Sequence, residues 1–176
     1  MATYRDTLRR AAIEHDGYVT AAIAKQHGVP AVELRKLASR GAFEKRQRGV
    51  YRDPYFPPTD EFDHLREALL TLGDGAYLTG ETVLEVLGIG QLNPHHIHIA
   101  SPKRHRRQLP SHWKIYPAKP GCRIMRYNGM PAQHVAEALK EVFPHVMPDR
   151  WVAMVDHATQ EGFVRATKSK ELKELQ

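Results

Sequence analysis

The chain has 176 residues, of which 41% are hydrophobic and 26% are charged, a composition typical of a globular protein with one domain or two small ones. It contains no apolar run long enough for a membrane span, and its N-terminal residues lack the apolar stretch of a signal peptide. The single cysteine, Cys122, excludes an internal disulfide and a zinc-finger spacing. These features predict a cytoplasmic protein without membrane association.

The net charge of +6 is concentrated in the first third of the chain. Residues 1–53 contain eleven Lys and Arg against six Asp and Glu, whereas residues 54–176 contain fifteen against fourteen. This asymmetry favours a polyanionic partner for the N-terminal part. Nucleic acid is favoured over a membrane surface, because no amphipathic segment with a large apolar face accompanies the charge.

Three short helices are predicted before residue 42. Apolar residues recur with helical spacing from Tyr4 to His15, and the glycine of "HDGY" ends that helix. Thr20 is placed to cap a second helix in "AAIAKQHG". The third helix, "AVELRKLASRGA", follows Pro30 and ends at Gly41. The second and third helices, joined by a short turn that contains glycine, have the pattern of a helix-turn-helix.

A basic hairpin is predicted next, in "FEKRQRGVYRDP". Its strands are "FEKRQ" and "VYRD", and Arg48 and Gly49 form the turn because glycine readily adopts the positive φ of a tight hairpin. Val50 and Tyr51 are expected beneath the hairpin, in the core. A helix-turn-helix followed by a basic hairpin predicts a winged helix; a small helical bundle with solvated charges is the alternative.

The proline-rich segment "PYFPPT", residues 54–59, favours neither helix nor paired strand and predicts a linker. Beyond it we expect helices in "DEFDHLREALLTLG" and "TGETVLEVLG", strands in "HIHIA", "WKIYPA" and "RIMRYNGMPA", and helices in "AQHVAEALKEV", "PDRWVAMVDHATQEG" and the charged C-terminal residues. The predicted fold is therefore α+β: a winged-helix domain at 1–53, the linker at 54–59, and a small mixed α/β domain at 60–176.

With these elements placed, the chain resembles the AbiEi family of antitoxins from type IV toxin-antitoxin systems. In the N-terminal part the resemblance rests on "GYVTAAIAKQHGVPAVELRKLASRGAFEKRQRGVYRDP", which is similar to the winged-helix segment of that family. Further along it rests on "TGETVLEVLGIGQLNPHHIHIASPKRHRRQLP" and "NGMPAQHVAEALKEV". Together these segments cover most of residues 3–142.

The resemblance implies an antitoxin that binds double-stranded DNA and represses its own promoter, often at an inverted repeat. It also implies a nucleotidyltransferase-like toxin encoded by an adjacent gene, which such antitoxins oppose functionally rather than by stable contact. No enzymatic activity and no cofactor are implied. A monomer or dimer that is dimeric on DNA would match the symmetry of an inverted repeat.

The candidate DNA-binding residues are polar and cationic side chains of the predicted second and third helices and the hairpin. The third helix enters the major groove in this motif, and the hairpin lies along phosphate or in the minor groove. These residues are Thr20, Arg35, Lys36, Ser39, Arg40, Lys45, Arg46 and Arg48. Glu33 could in addition accept a hydrogen bond from a cytosine amino group. Simple helix capping by Thr20 and solvent exposure of Ser39 and Glu33 are the alternatives.

A second basic cluster, in "SPKRHRR", follows the strand "HIHIA". It offers a possible secondary nucleic-acid contact or, alternatively, a solvated loop. The cluster consists of Lys103, Arg104, Arg106 and Arg107.

Two other classes of function remain open at this point. In the first alternative, residues 60–176 form a protein-interaction module that inhibits a partner directly. In the second, His96 and His98 share one face of a strand and ligate a metal in an enzyme. No Cys, Asp or Glu lies within "NPHHIHIA", and the chain has no recognisable nucleophile triad or phosphate-binding loop, so we expect neither a metal nor catalysis.

Overall fold

The computed structural model describes residues 2–175. The chain divides into two compact units, of which the first ends at Gly73 and the second begins at Asp74. The division therefore lies later than the linker that the sequence predicts at residues 54–59. Each unit has its own sheet and its own set of helices.

The first unit has the element order of a winged helix. Its sheet is antiparallel with strand order β1-β3-β2, and its first strand was missed by the sequence prediction because it spans only three residues. The elements are α1 (Tyr4–Glu14), β1 (Tyr18–Thr20), α2 (Ala21–Gln26), α3 (Ala31–Ser39), β2 (Glu44–Gln47), β3 (Val50–Arg52) and α4 (Asp63–Leu72).

Capping contacts fix the start of α2 and the end of α3. The Thr20 side chain accepts a hydrogen bond from the Ile23 amide at 3.2 Å, which confirms its predicted role at the start of α2. Helix α3 ends where Gly41, at φ 78°, donates to the Ala38 carbonyl and the Ala42 amide donates to the Leu37 carbonyl. That pair of bonds is a Schellman motif, and its left-handed position favours glycine.

One face of the small sheet is covered by α1, α2 and α3. Buried residues of all three helices pack there against the sheet, together with Phe43 at the start of the hairpin. Tyr51 of β3 belongs to this core and Val50 is 1% exposed, so the predicted burial of both residues is confirmed. The cluster consists of Leu8, Ala11, Ala12, Val19, Ile23, Ala24, Val29, Leu34, Phe43 and Tyr51.

The proline-rich segment folds back onto the first unit. The Phe56 ring packs on Gly17, where a Cβ atom would lie 2.6 Å from Phe56 Cδ1, and the Asp53 amide donates to the Gly17 carbonyl at 2.9 Å. Helix α4 is then fixed to the sheet by Asp63, which accepts from the Tyr18 hydroxyl at 2.8 Å and from Arg52 at 2.6 Å. These contacts explain why the division follows Gly73.

The second unit contains a five-stranded mixed sheet with strand order β6-β5-β4-β8-β7. Pairs β5–β6 and β4–β8 are parallel, whereas β4–β5 and β7–β8 are antiparallel. The elements are β4 (Tyr77–Leu78), α5 (Gly80–Val86), β5 (Ile97–Ser101), β6 (Trp113–Pro117), β7 (Ile124–Tyr127), β8 (Met130–Gln133), α6 (Val135–Val142), α7 (Pro148–Gln160) and α8 (Ala166–Lys173). The predicted α+β class is confirmed.

The core of the second unit lies between its helices and this sheet. Leu84, Ile99, Leu139 and Trp151 are fully buried, and the Trp151 indole satisfies its N–H by donating to the Leu172 carbonyl at 3.2 Å. Within residues 2–175, no helix combines the length and apolar character needed to cross a membrane.

Candidate nucleic-acid interface

Helix α3 presents a polar and cationic stripe on the side opposite its core residues. Leu34 is 1% exposed and faces the core with Leu37 and Ala38, whereas Arg35 and Arg40 are exposed. Residues 32, 35, 36 and 39 follow the spacing that places side chains on one face of a helix, and Arg40, the C-cap residue, continues this stripe. The stripe is therefore set by helical geometry: the core contacts of Leu34 hold the cations outward.

Two residues of the stripe have contacts within their own helix. The Lys36 ammonium lies 2.8 Å from a Glu33 carboxylate oxygen, and the Ser39 hydroxyl donates to the Lys36 carbonyl at 2.8 Å. An exposed pair of this kind is worth little, so phosphate can replace Glu33 as the partner of Lys36. Ser39 can accept a hydrogen bond as it stands, but must rotate before it can donate one.

The predicted hairpin turn is confirmed at Arg48 and Gly49. Gln47 pairs with Val50 across the turn, and Gly49 has a φ of 81° that a side chain would disfavour. Lys45 and Arg48 are both exposed. The hairpin therefore carries cations at its edge and its turn, which is the wing of a winged helix.

Arg46 is held by the first unit itself. The register of β2 against β3 shifts between Lys45 and Gln47, so that Arg46 occupies a bulge. Its Nε donates to Glu67 Oε2 of α4 at 3.0 Å, and the Gln47 amide donates to the other oxygen of Glu67 at 3.3 Å. This carboxylate raises the pKa of the Arg46 guanidinium. The sequence predicted DNA contact by Arg46 without revealing that α4 would provide a partner.

Thr20 lies at the start of α2 with its side-chain oxygen already accepting the Ile23 amide. Its hydroxyl proton is not used by that bond, so capping and donation to a phosphate are compatible. The phosphate contact stays a prediction.

One residue near the interface was missed from the sequence, and one cation of the hairpin lies inside the unit. Val32 is 45% exposed at the start of α3, in line with the cationic stripe, and an apolar side chain there can contact a thymine methyl group. Its helical offset from Arg35 and Lys36 was the signal that could have revealed it. Arg52, by contrast, was a visible cation in a basic strand, yet it is buried and serves the unit internally.

The second basic cluster lies in the loop between β5 and β6. Lys103, Arg104 and Arg106 are exposed, and the loop is fixed at its start by the buried Ser101 hydroxyl, which accepts from the Lys103 amide at 3.2 Å and bonds the His105 ring at 2.9 Å. Burial and the neighbouring cations lower the pKa of His105. Nucleic-acid contact by this loop, including Arg107, stays a prediction.

The second unit also contains a cleft of about 580 Å³ between its sheet and α6. Thr79 donates to Glu141 there at 2.8 Å, and Gln133 and Lys119 bond with the same polar cluster. Thr79 is the residue before α5, but its hydroxyl bonds to this polar cluster and does not cap the helix. Lys119 and Thr79 lower the pKa of Glu141, outweighing the opposite effect of its burial.

Strand β5, which contains His98, forms part of the wall of this cleft. His98 stacks on Tyr116 with ring centroids 5.7 Å apart, and burial lowers its pKa. Among residues 2–175, neither His96 nor His98 belongs to a group of three potential metal ligands. His98 is thus packed against Tyr116 in the wall of the cleft.

Taken together, the helix-turn-helix, the basic wing and the outward cations of α3 define the winged-helix class of nucleic-acid-binding proteins. Residues 6–52, which span nearly all of this segment, match the family model described as "Transcriptional regulator, AbiEi antitoxin". The predicted resemblance is therefore confirmed over the winged helix.

The fold has a solved counterpart. The crystal structure of RV2827C protein from Mycobacterium tuberculosis superposes with a TM-score of 0.51 at 16% sequence identity, covering 98% of this chain and 71% of that one. At this identity the likeness concerns the fold alone, and it extends over both units. Comparison with curated protein sequences gives no match.

Proposed function

We propose that this protein is a DNA-binding transcriptional repressor of the antitoxin type, acting on the promoter of its own operon. The observation that carries the proposal is the stripe on α3, where Arg35, Lys36 and Arg40 point away from the core beside an exposed basic wing. The family match over residues 6–52 supports a regulatory role.

In the proposed complex, α3 lies in the major groove and the wing contacts the sugar-phosphate backbone. Arg35 or Arg40 pairs with a guanine through two parallel hydrogen bonds, while Lys36, Lys45 and Arg48 neutralise phosphates. Val32 is placed to contact a thymine methyl. Arg46 has a positioning role: its bond to Glu67 holds the wing strand against α4.

Two protomers on an inverted repeat would occlude the promoter, because each recognition helix reads one half-site. A nucleotidyltransferase toxin encoded beside the gene would then be kept in check through its expression, without a stable complex of the two proteins. The proposed role requires no catalytic step.

The test is a titration of the full chain against duplex DNA from upstream of its own gene and against a scrambled duplex of the same composition. The triple variant Arg35→Ala, Lys36→Ala, Arg40→Ala should lose the preference for the upstream duplex. A matched triple variant, Arg5→Ala, Arg10→Ala, Lys25→Ala, removes as many exposed cations from α1 and α2 and should weaken both duplexes alike. An α3 variant with unchanged preference would contradict the proposal.

Direct inhibition of a partner by residues 60–176 predicts a different result. The product of the adjacent gene would then co-purify with the full chain after nuclease treatment, and the α3 variant would retain it.

A further inference from the structure

Three potential metal ligands converge where α1 and α2 end. Glu14 is the last residue of α1, His15 follows it as the capping residue, and His27 caps the C-terminal end of α2. One ligand atom from each lies within 4.8 Å of the others. Within residues 2–175 this is the only such group of three histidine, cysteine or carboxylate side chains.

The two imidazoles meet edge to face in this cluster. Their ring centroids are 6.3 Å apart with planes at 89°, and His27 Nε2 lies 3.6 Å from Glu14 Oε2. Two ligands of one tetrahedral zinc ion, each bonded at about 2.0–2.1 Å, are about 3.3 Å apart. The Glu14–His27 distance is already close to that value, and the His15 ligand atom lies within 4.8 Å of both.

The backbone that carries these side chains is fixed independently of any ion. After α1, the Gly17 amide donates to the Ala12 carbonyl at 2.7 Å. After α2, the Val29 amide donates to the Ala24 carbonyl at 2.8 Å across Gly28, which has a φ of 72°. These bonds define the helix ends, so the positions of the histidine Cβ atoms are set before a ligand arrives.

We propose that Glu14, His15 and His27 form a binding site for a divalent transition-metal ion of the zinc class, which joins the C-terminal ends of α1 and α2. Two imidazoles and one carboxylate are a ligand set that suits zinc and leaves one coordination position for water. The site also lies at two helix C-termini, where the backbone dipoles favour a cation.

The consequence for the molecule is structural. His27 immediately precedes the turn that leads from α2 to α3, so an ion at this site fastens the helix-turn-helix to α1. Because metal binds the folded arrangement and not the unfolded chain, it raises the thermal stability of the first unit. Metal binding at this site is independent of the proposed DNA binding, so the metal titration and the DNA titration test separate properties.

The test measures zinc and cobalt binding by the full chain, purified without a histidine tag. After equilibrium dialysis against zinc, elemental analysis should find about one equivalent per chain. Cobalt should give visible d–d absorption that zinc abolishes, and the thermal transition of the first unit should rise when zinc is added. His15→Ala and His27→Ala should each weaken zinc binding by at least about tenfold.

A matched control removes a histidine elsewhere in the same unit. His64 is exposed on α4, so His64→Ala should leave zinc affinity and the cobalt spectrum unchanged. Glu14→Gln keeps the size of an exposed side chain while removing its charge, and it should weaken zinc binding even if a histidine variant fails to fold. Unaltered affinity in the Glu14→Gln and His27→Ala variants, or less than half an equivalent of zinc on the wild-type chain, would overturn the proposal.

Discussion

Arg52 and Asp63 form an ion pair that fixes α4 to the sheet of the first unit, with Arg52 Nη1 at 2.6 Å from Asp63 Oδ2. The Arg52 side chain is 8% exposed, and its guanidinium also lies over the Tyr18 ring, 4.7 Å from the centroid. Tyr18 itself donates to the same carboxylate oxygen, and burial followed by this bond raises its pKa. One acidic side chain thus satisfies two groups that α4 buries.

We expect Asp63→Ala to destabilise the first unit by about 3 kcal/mol, because it leaves the Arg52 charge buried without its partner. Denaturant unfolding of the full chain measures this loss. Glu33→Gln breaks the exposed pair with Lys36 instead and should change the free energy of unfolding by no more than about 0.5 kcal/mol. Equal effects of the two substitutions would show that α4 is not anchored through Asp63.

The wing offers a prediction about which of its cations contact DNA. If Lys45 and Arg48 contact phosphates, the double variant Lys45→Ala, Arg48→Ala should lower the slope of log affinity against log salt by about 2. Arg46→Ala should leave that slope nearly unchanged, because Arg46 is bound to Glu67. DNA titrations at several salt concentrations provide both slopes. If Arg46→Ala lowers the slope by about 1, as expected for the loss of one phosphate contact, Arg46 leaves Glu67 to bind DNA.

Helix periodicity and glycine positions were sufficient to predict most of the first unit. The turn at Gly49 and the end of α3 at Gly41 depend on local backbone preferences, which a short stretch of sequence displays. Strand β1 was not predicted, because three residues are too few to show an alternating pattern. The contact of Phe56 with Gly17 could not be predicted from the proline-rich segment, because it joins residues far apart in sequence.

The candidate site was predictable to the extent that it depends on helix geometry. Spacing alone placed Arg35, Lys36 and Arg40 on the outer face of α3. It did not reveal that Arg46 and Arg52 have carboxylate partners on α4, because those pairs span 21 and 11 residues and depend on how α4 packs. Nor did it reveal the cluster of His15 and His27, which forms only when two helix ends meet.

A pH dependence is expected from Glu141 in the second unit. Its folded-state pKa is lowered by Lys119 and Thr79, below an unfolded value of about 4.3, so the carboxylate contributes stability that is present at neutral pH. That contribution is lost as pH falls through the folded-state pKa. Glu141→Gln should therefore flatten the decline of stability between about pH 5 and pH 3, measured by denaturant unfolding at each pH. An unchanged decline would contradict the assignment.

Base recognition by α3 can be separated from simple attraction to phosphate by substitutions that retain charge. Arg35→Lys and Arg40→Lys both keep a cation on the stripe, but lysine lacks the planar fork that pairs with guanine. The variant that removes the base contact should lose about 1–3 kcal/mol of discrimination at one position of the operator and leave the salt slope unchanged. The other variant should bind with nearly wild-type specificity.

Competition titrations against single-base operator variants identify the position, and Val32→Ala in the same assay tests for a thymine methyl contact. If both lysine variants retain full discrimination, Arg35 and Arg40 contact only the backbone.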